Sequence, residues 1–347
     1  MRLASIRRTA TVAATGLVLL LSACGGGSEP PATSSSGTAS DSFPVSIEHK
    51  FGTTTVPTEP KRIVVVGLVE QDALLSLGVV PVATSEWFGE KPGAIWPWAE
   101  AALGGATRPQ VLTSTDGVQF EKVAALRPDL ILGIYSGLTA DDYATLAKIA
   151  PTVAQPKGAV DYGVAWQDLT RTVGAAVGRK AQADRVVADV EGKIAAARSA
   201  NPAFAGATGL MATTYEGYYV YGPQDPRGRF LTDLGFTLPA GLAEVTGAEF
   251  GANLSRERTD MLDTDVLIWL VDKYDPDRAK VQADPLYSKL KVKSEGRDVY
   301  LENEEIVGAA TSFITPLSLP FLLEKLVPQL TAAVDGDPAT VVQRATA

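Results

Sequence analysis

Apolar positions along this chain switch between two periods. Ile63-Val64-Val65-Val66 is a continuous β-branched run, the pattern of a parallel strand buried on both faces. Val69 to Leu77 follows with helical spacing and stops at Gly78, and Val79 to Ala83 returns to a strand. The same reading predicts a helix from Glu121 to Leu126, a strand over Leu130–Leu132, and a helix from Asp141 to Ile149. Further on, the apolar run Val266 to Val271 and a strand over Asp298–Leu301 continue the series. Repeated βα units predict an α/β protein with mainly parallel sheet.

The longest apolar stripe lies between Lys180 and Ala200. Ala183, Val186, Val187, Val190, Ile194 and Ala197 recur at three- and four-residue spacing, and Asn201-Pro202 ends the helix. At 1.5 Å per residue such a helix extends about 32 Å, roughly one domain diameter, so it either crosses one large domain or connects two. An internal match favours the connector. Glu121-Lys-Val-Ala-Ala-Leu126-Arg-Pro-Asp129-Leu130-Ile131-Leu132 aligns without gaps on Glu257-Arg-Thr-Asp-Met-Leu262-Asp-Thr-Asp265-Val266-Leu267-Ile268. Both copies deliver a short helix into a buried strand, one on each side of the long helix. The prediction is two similar α/β lobes, 43–178 and 202–347, joined by a single long helix over 179–201, with a ligand cleft between them.

Residues 1–23 read as an export signal. Arg2, Arg7 and Arg8 precede an apolar stretch, Val12 to Leu21, that is well short of the about 20 residues a membrane span needs. It ends in Leu21-Ser22-Ala23-Cys24, which resembles the lipobox of bacterial lipoproteins. The resemblance implies cleavage before Cys24 and lipidation of its thiol and amino group; an ordinary secretory signal with a chance cysteine is the alternative. From Gly25 to Ser42, 14 of 18 residues are Gly, Ser, Thr or Pro, so 24–42 reads as a flexible tether. As a random coil it spans about 23 Å.

Composition narrows the chemistry. The 347 residues are 46% hydrophobic and 20% charged, ordinary for a globular protein. There are 31 basic residues against 40 acidic, and three of the basic ones lie in the export signal, so the mature surface is more acidic still. That argues against nucleic-acid binding, which needs a basic footprint. One cysteine excludes intrachain disulfides, and one histidine, His49, excludes any site needing two imidazoles. No nucleophile–base constellation, P-loop or metal-ligand spacing appears, which argues against an enzyme.

Several stretches together resemble the class III substrate-binding proteins of bacterial ABC importers for ferric siderophores, haem and cobalamin. They are Pro60-Lys61-Arg62-Ile63-Val64-Val65-Val66, Leu77-Gly78-Val79-Val80-Pro81-Val82, Leu126-Arg127-Pro128-Asp129-Leu130-Ile131-Leu132 and Ile149-Ala150-Pro151-Thr152-Val153. Val220-Tyr221-Gly222-Pro223, Leu234-Gly235-Phe236 and Asp284-Pro285-Leu286-Tyr287 extend the order into the second half. The resemblance implies two Rossmann-like lobes with a shallow ligand cleft, in a monomeric lipid-anchored receptor on the outer face of the cytoplasmic membrane, serving the permease and ATPase of an iron importer. It implies no cofactor and no resident metal; the ligand is a ferric siderophore, with haem or cobalamin as alternatives. It also implies that Glu121 and Glu257, one per lobe, dock into permease arginines. From position alone, each is equally a carboxylate stabilising the first turn of a helix, with Ser255 as an N-cap for the second.

Relatives that capture bare zinc or manganese use several histidines, and His49 sits in an early strand as a surface or structural residue. An iron chelate asks instead for flat apolar surfaces and a few cations. Loop residues near strand ends supply both: Trp87, Tyr135, Tyr215, Phe250, and the guanidinium groups of Arg227 and Arg229, of which the resemblance favours Arg229 as a contact for an anionic chelate. For the arginines the alternative is solvation of a helix start. Trp269 reads as core, while Trp96 and Trp98 lie in a Pro-rich loop and are open to packing against a lobe. Tyr135 or Tyr215 would be the axial ligand for haem. From other classes, an extracytoplasmic hydrolase would have only Glu302, Glu304 and Glu305 as machinery, and an adhesin would lack a saturable small-molecule site.

Overall fold

The computed structural model describes residues 42–113 and 117–345. The export signal, Cys24 and nearly all of the tether therefore lie outside the described residues. An antiparallel hairpin, β1 (Val45–His49) and β2 (Gly52–Val56), opens the folded part. A five-stranded parallel sheet follows: β3 (Ile63–Val65), β4 (Ala83–Ser85), β5 (Gln110–Leu112), β6 (Leu130–Gly133) and β7 (Thr152–Ala154), in the spatial order β5-β4-β3-β6-β7. Ile63, Val65, Leu130 and Leu132 enter the core on one face, Val64 and Ile131 the core on the other. Burial on both faces is why these strands carry unbroken apolar runs.

Two boundaries differ from the sequence reading. The strand expected over Val79–Ala83 begins only at Ala83, because Val79 N–H still bonds the Leu74 carbonyl at the preceding helix end and Pro81 has no N–H to donate. The helix expected to reach Ile149 spans Ala140–Leu146 and unwinds through turns before Pro151.

The second lobe holds β8 (Gly209–Thr213), β9 (Tyr218–Tyr221), β10 (Gly251–Leu254), β11 (Val266–Val271) and β12 (Asp298–Glu302), in the order β10-β9-β8-β11-β12. β8, β11 and β12 are parallel, whereas β9 and β10 form an antiparallel edge. Val266, Ile268 and Leu270 face one core; Leu267, Trp269 and Val271 face the other. Trp269 is buried, and its indole N–H donates to the Tyr287 hydroxyl at 3.1 Å.

The helix Lys180–Ala200 matches its expected span. Ala183 packs in the first lobe's core, while Val187, Val190 and Ile194 pack in the second lobe's core. The internal match has a structural cause. The Asp129 carboxylate accepts the backbone N–H groups of Lys61 and Arg62, at 2.8 Å each, just ahead of β3. Asp265 accepts the backbone N–H and hydroxyl of Thr208, at 2.8 and 2.9 Å, just ahead of β8. In each lobe the aspartate before one central strand fixes the start of its neighbour.

A second connection joins the lobes. Ala309, in the helix Ile306–Ser312, and Phe313 after it pack into the first lobe's core. The buried Asp72 carboxylate accepts the Thr315 hydroxyl at 2.6 Å and the Trp98 indole N–H at 2.8 Å. Burial pushes the Asp72 carboxyl up to about 6 against the pull of these two donors.

Candidate ligand site

The loops that leave the carboxyl ends of β3, β4, β5 and β6 enclose a cavity of about 480 Å³. This is where α/β sheets gather ligands: the strand order reverses between β3 and β6, so the loops after them part and leave a crevice. Its first-lobe wall includes Leu68, Trp87 and Tyr135, and the second lobe contributes Arg227 and Phe250.

Four aromatic rings follow one another along the wall. Trp87 lies 6.2 Å from Tyr135 between centroids, Tyr135 lies 6.0 Å from Tyr162, and Tyr162 lies 6.4 Å from Phe250. Behind Trp87, Phe88 and Phe313 pack at 5.3 and 5.1 Å, and Trp96 stacks on Trp98 at 5.1 Å. This backing restricts the Trp87 ring and makes the wall a firm apolar surface. Trp96 is buried in that backing and lines no part of the cavity.

Arg227 supplies the cation. It is the second residue of the helix Pro226–Asp233, whose N-cap Asp225 accepts the Arg227 backbone N–H at 2.7 Å. The same carboxylate pairs with the guanidinium at 2.9 Å, Ser312 accepts another N–H at 3.1 Å, and the guanidinium lies 3.9 Å from the Tyr221 ring centroid. The side chain is held on three sides and only 5% exposed, yet its Nε–H has no protein partner among the described residues. A buried donor left unmatched costs about 1–3 kcal/mol. Burial and the nearby Asp225 charge push the Tyr135 hydroxyl pKa upward, so it stays a neutral phenol.

The floor depends on a carboxylate that sequence reasoning missed. Glu70, first residue of the helix Glu70–Ser76, is buried, and its Oε1 accepts the backbone N–H groups of Ile134 (2.5 Å) and Tyr135 (2.8 Å). Oε2 accepts the Val69 N–H at 3.1 Å. Glu70 thereby ties the loop after β3 to the loop after β6 and fixes the backbone that carries Tyr135. Gly67 permits this approach, since a Cβ there would stand 2.0 Å from Glu70 Oε1. Burial pushes the Glu70 carboxyl up to about 7, with the backbone donors opposing.

Of the six expected ligand contacts, the cavity gathers Trp87, Tyr135, Arg227 and Phe250. Tyr215 stands apart. It is 62% exposed in the turn between β8 and β9, where Glu216 and Gly217 adopt positive φ, and it does not line this cavity. Arg229 is also elsewhere: its guanidinium donates to the carbonyls of Gln224 (2.8 Å) and Gly163 (2.6 Å) and borders a separate cleft with Trp166 and Asp168. Helix geometry explains the split, because residues two apart are rotated by about 200° and face opposite ways. Tyr162, also unanticipated, holds φ at 57°, a conformation costly for a bulky side chain, and sits where the two lobes meet the cavity.

Glu121 is exposed in the first turn of the helix Phe120–Ala125. Glu257 is exposed in a 3₁₀ segment, Arg256–Leu262, rather than an α-helix, and Ser255 ahead of it makes no side-chain cap. Neither glutamate lines the cavity. His49 is buried in the first hairpin, its Nε2 2.9 Å from the Thr54 hydroxyl, with its pKa lowered by burial and then by Lys157. Glu302 is engaged by Lys273, Arg344 and the Tyr274 N–H, and Glu305 by Arg344, so both carboxylates serve packing of the carboxyl-terminal segment. Among the described residues, no group of three His, Cys, Asp or Glu side chains is placed to hold a metal ion, and no helix is long and apolar enough to cross a membrane.

Comparison with known proteins agrees with this architecture. A family model described as periplasmic binding protein matches residues 64–304. A periplasmic solute binding protein from Mycobacterium smegmatis superposes with a TM-score of 0.74 at 36% identity, covering 84% of this chain and 98% of that one. PiaA from Streptococcus pneumoniae, an iron uptake ABC transporter substrate-binding protein solved in complex with ferrichrome, gives a TM-score of 0.74 at 27% identity, covering 84% and 99%. The putative ABC transporter substrate-binding lipoprotein YhfQ of Bacillus subtilis is 26% identical over 289 residues, 78% of this chain and 85% of its own.

Proposed function

The chain belongs to the periplasmic binding protein family, and on that premise we propose that it is a receptor, not an enzyme, that captures a ferric siderophore and delivers it to an ABC permease. One observation carries the reading: a cavity at the strand ends, walled by Trp87, Tyr135, Tyr162 and Phe250 and supplied with one immobilised guanidinium, Arg227. Such a surface suits a bulky chelate whose iron is already coordinated. Ferrichrome in the PiaA complex is a ligand of that kind. Haem is less well served, because a tyrosine axial ligand acts as phenolate and the Tyr135 environment favours the phenol.

Lipidation at Cys24 would hold the receptor beside the membrane, in keeping with the lipoprotein among its relatives. Glu121 and Glu257 would meet the permease, one from each lobe. Their support is the repeated helix-to-strand unit, which puts both at the start of the element leading into a central strand. Tryptophan fluorescence titration tests the capture step. A ferric siderophore should quench saturably at one per chain, and zinc or manganese salts should be silent. A stoichiometric Soret shift with haemin, with every ferric chelate silent, would replace this reading with haem binding.

A further inference from the structure

We infer that the cavity selects an uncharged ferric chelate, one whose three bidentate arms each bring a single negative charge, as hydroxamates do, and disfavours the trianionic complex formed by three catecholates. The inference rests on the siderophore reading above and narrows it to a ligand class. Only two charged side chains among the described residues line the cavity, Asp142 and Arg227. Asp142 is occupied by the Thr139 backbone N–H (3.0 Å) and hydroxyl (2.6 Å), and it brings negative charge to the rim.

Arg227 offers little free positive charge. Asp225 meets its guanidinium at 2.9 Å and is itself fully buried, so the pair is neutral before any ligand arrives. The neighbouring cation that would be needed for a polyanion, Arg229, is turned to the Gly163 and Gln224 carbonyls. The whole chain adds to this bias, with a formal charge of −9 that repels incoming anions. A trianion moved into such a site would lose hydration without gaining cations. An uncharged complex has no such cost. Its hydrocarbon arms can lie on the aromatic wall.

Full-length protein titrated with ferrichrome and with ferric enterobactin, read by tryptophan quenching, tests the inference. The uncharged ferrichrome should bind at least about tenfold more tightly than the trianionic enterobactin complex. Its affinity should stay within about twofold between low salt and 0.3 M salt, since it carries no charge to screen. Adding a cation at the exposed cavity lip, Thr113→Arg, should narrow the preference by about fivefold, while Thr113→Gln should leave the ratio unmoved. Equal or tighter binding of the trianion would overturn the charge selection and leave the receptor reading standing. Silence of both complexes, and of a wider panel of ferric chelates, would overturn the receptor reading as well.

Discussion

Replacing Glu70 with Gln tests whether burial controls the carboxylate beneath the cavity. The fold moves its pKa from an ordinary 4.5 to about 7, chiefly by desolvation. The folded state therefore binds a proton more tightly than the unfolded chain. The associated stability is fully present below about pH 4.5 and is lost as pH rises through about 7. The whole effect is about 3 kcal/mol, of which about 2.5 kcal/mol falls between pH 5 and pH 8. Glutamine cannot ionise, so Glu70→Gln lacks this dependence, and the amide's own fixed cost against the Val69 N–H is the same at every pH. Asp72 is present in both proteins and largely drops out of the difference. Urea unfolding followed by tryptophan fluorescence at pH 5, 6, 7 and 8 should show the mutant gaining about 2.5 kcal/mol on wild type across the series. A constant difference, or a mutant that fares worse as pH rises, would mean that the three backbone donors keep the carboxylate ionised and that the burial argument is wrong.

Trp87→Ala should weaken ferric chelate binding at least about tenfold, or 1.4 kcal/mol, whereas Tyr215→Ala should leave it within about twofold; isothermal titration calorimetry separates these, and equal losses would contradict the cavity assignment. Glu121→Ala combined with Glu257→Ala should bind the chelate within about threefold of wild type, under about 0.7 kcal/mol, while uptake by cells dependent on this receptor falls severely. Normal uptake in that double mutant would reduce both residues to helix-end carboxylates. Cys24→Ser should fold normally but leave the membrane or remain uncleaved; a soluble wild-type protein with no lipid on its amino-terminal peptide would contradict the anchor.

The parts of the fold that were legible in the sequence are those decided by local pattern. β3, β6 and β11 announce themselves as unbroken apolar runs because both faces are buried, and the Lys180–Ala200 helix by a one-sided stripe. The repeated Asp129 and Asp265 were visible as well, because both copies fix a strand start with the same side chain. The site was legible only in part. Trp87 and Tyr135 follow strand ends directly, so the loop rule reaches them. Tyr215 has the same local signature but lies at the far end of a hairpin, and no local signal gives the direction in which β9 returns. Arg227 and Arg229 differ only in helical phase, which depends on where the helix begins at Pro226. Glu70 and Asp72 read as ordinary polar residues at a helix start; their burial comes from elements far away in sequence, Ile134 and Tyr135 for one and Thr315 for the other. The aromatic backing is likewise tertiary, with Phe313 arriving from the second half of the chain to meet Trp87 and Trp96.

The most direct test of the receptor account is the identity of the molecule the protein holds when it is recovered from its iron-starved host. Native mass spectrometry of the purified protein, followed by denaturation and small-molecule analysis, reads both stoichiometry and structure. The account predicts one ferric chelate per chain, with no net charge on the complex. Haem, or a bare metal ion, as the sole stoichiometric occupant would contradict it.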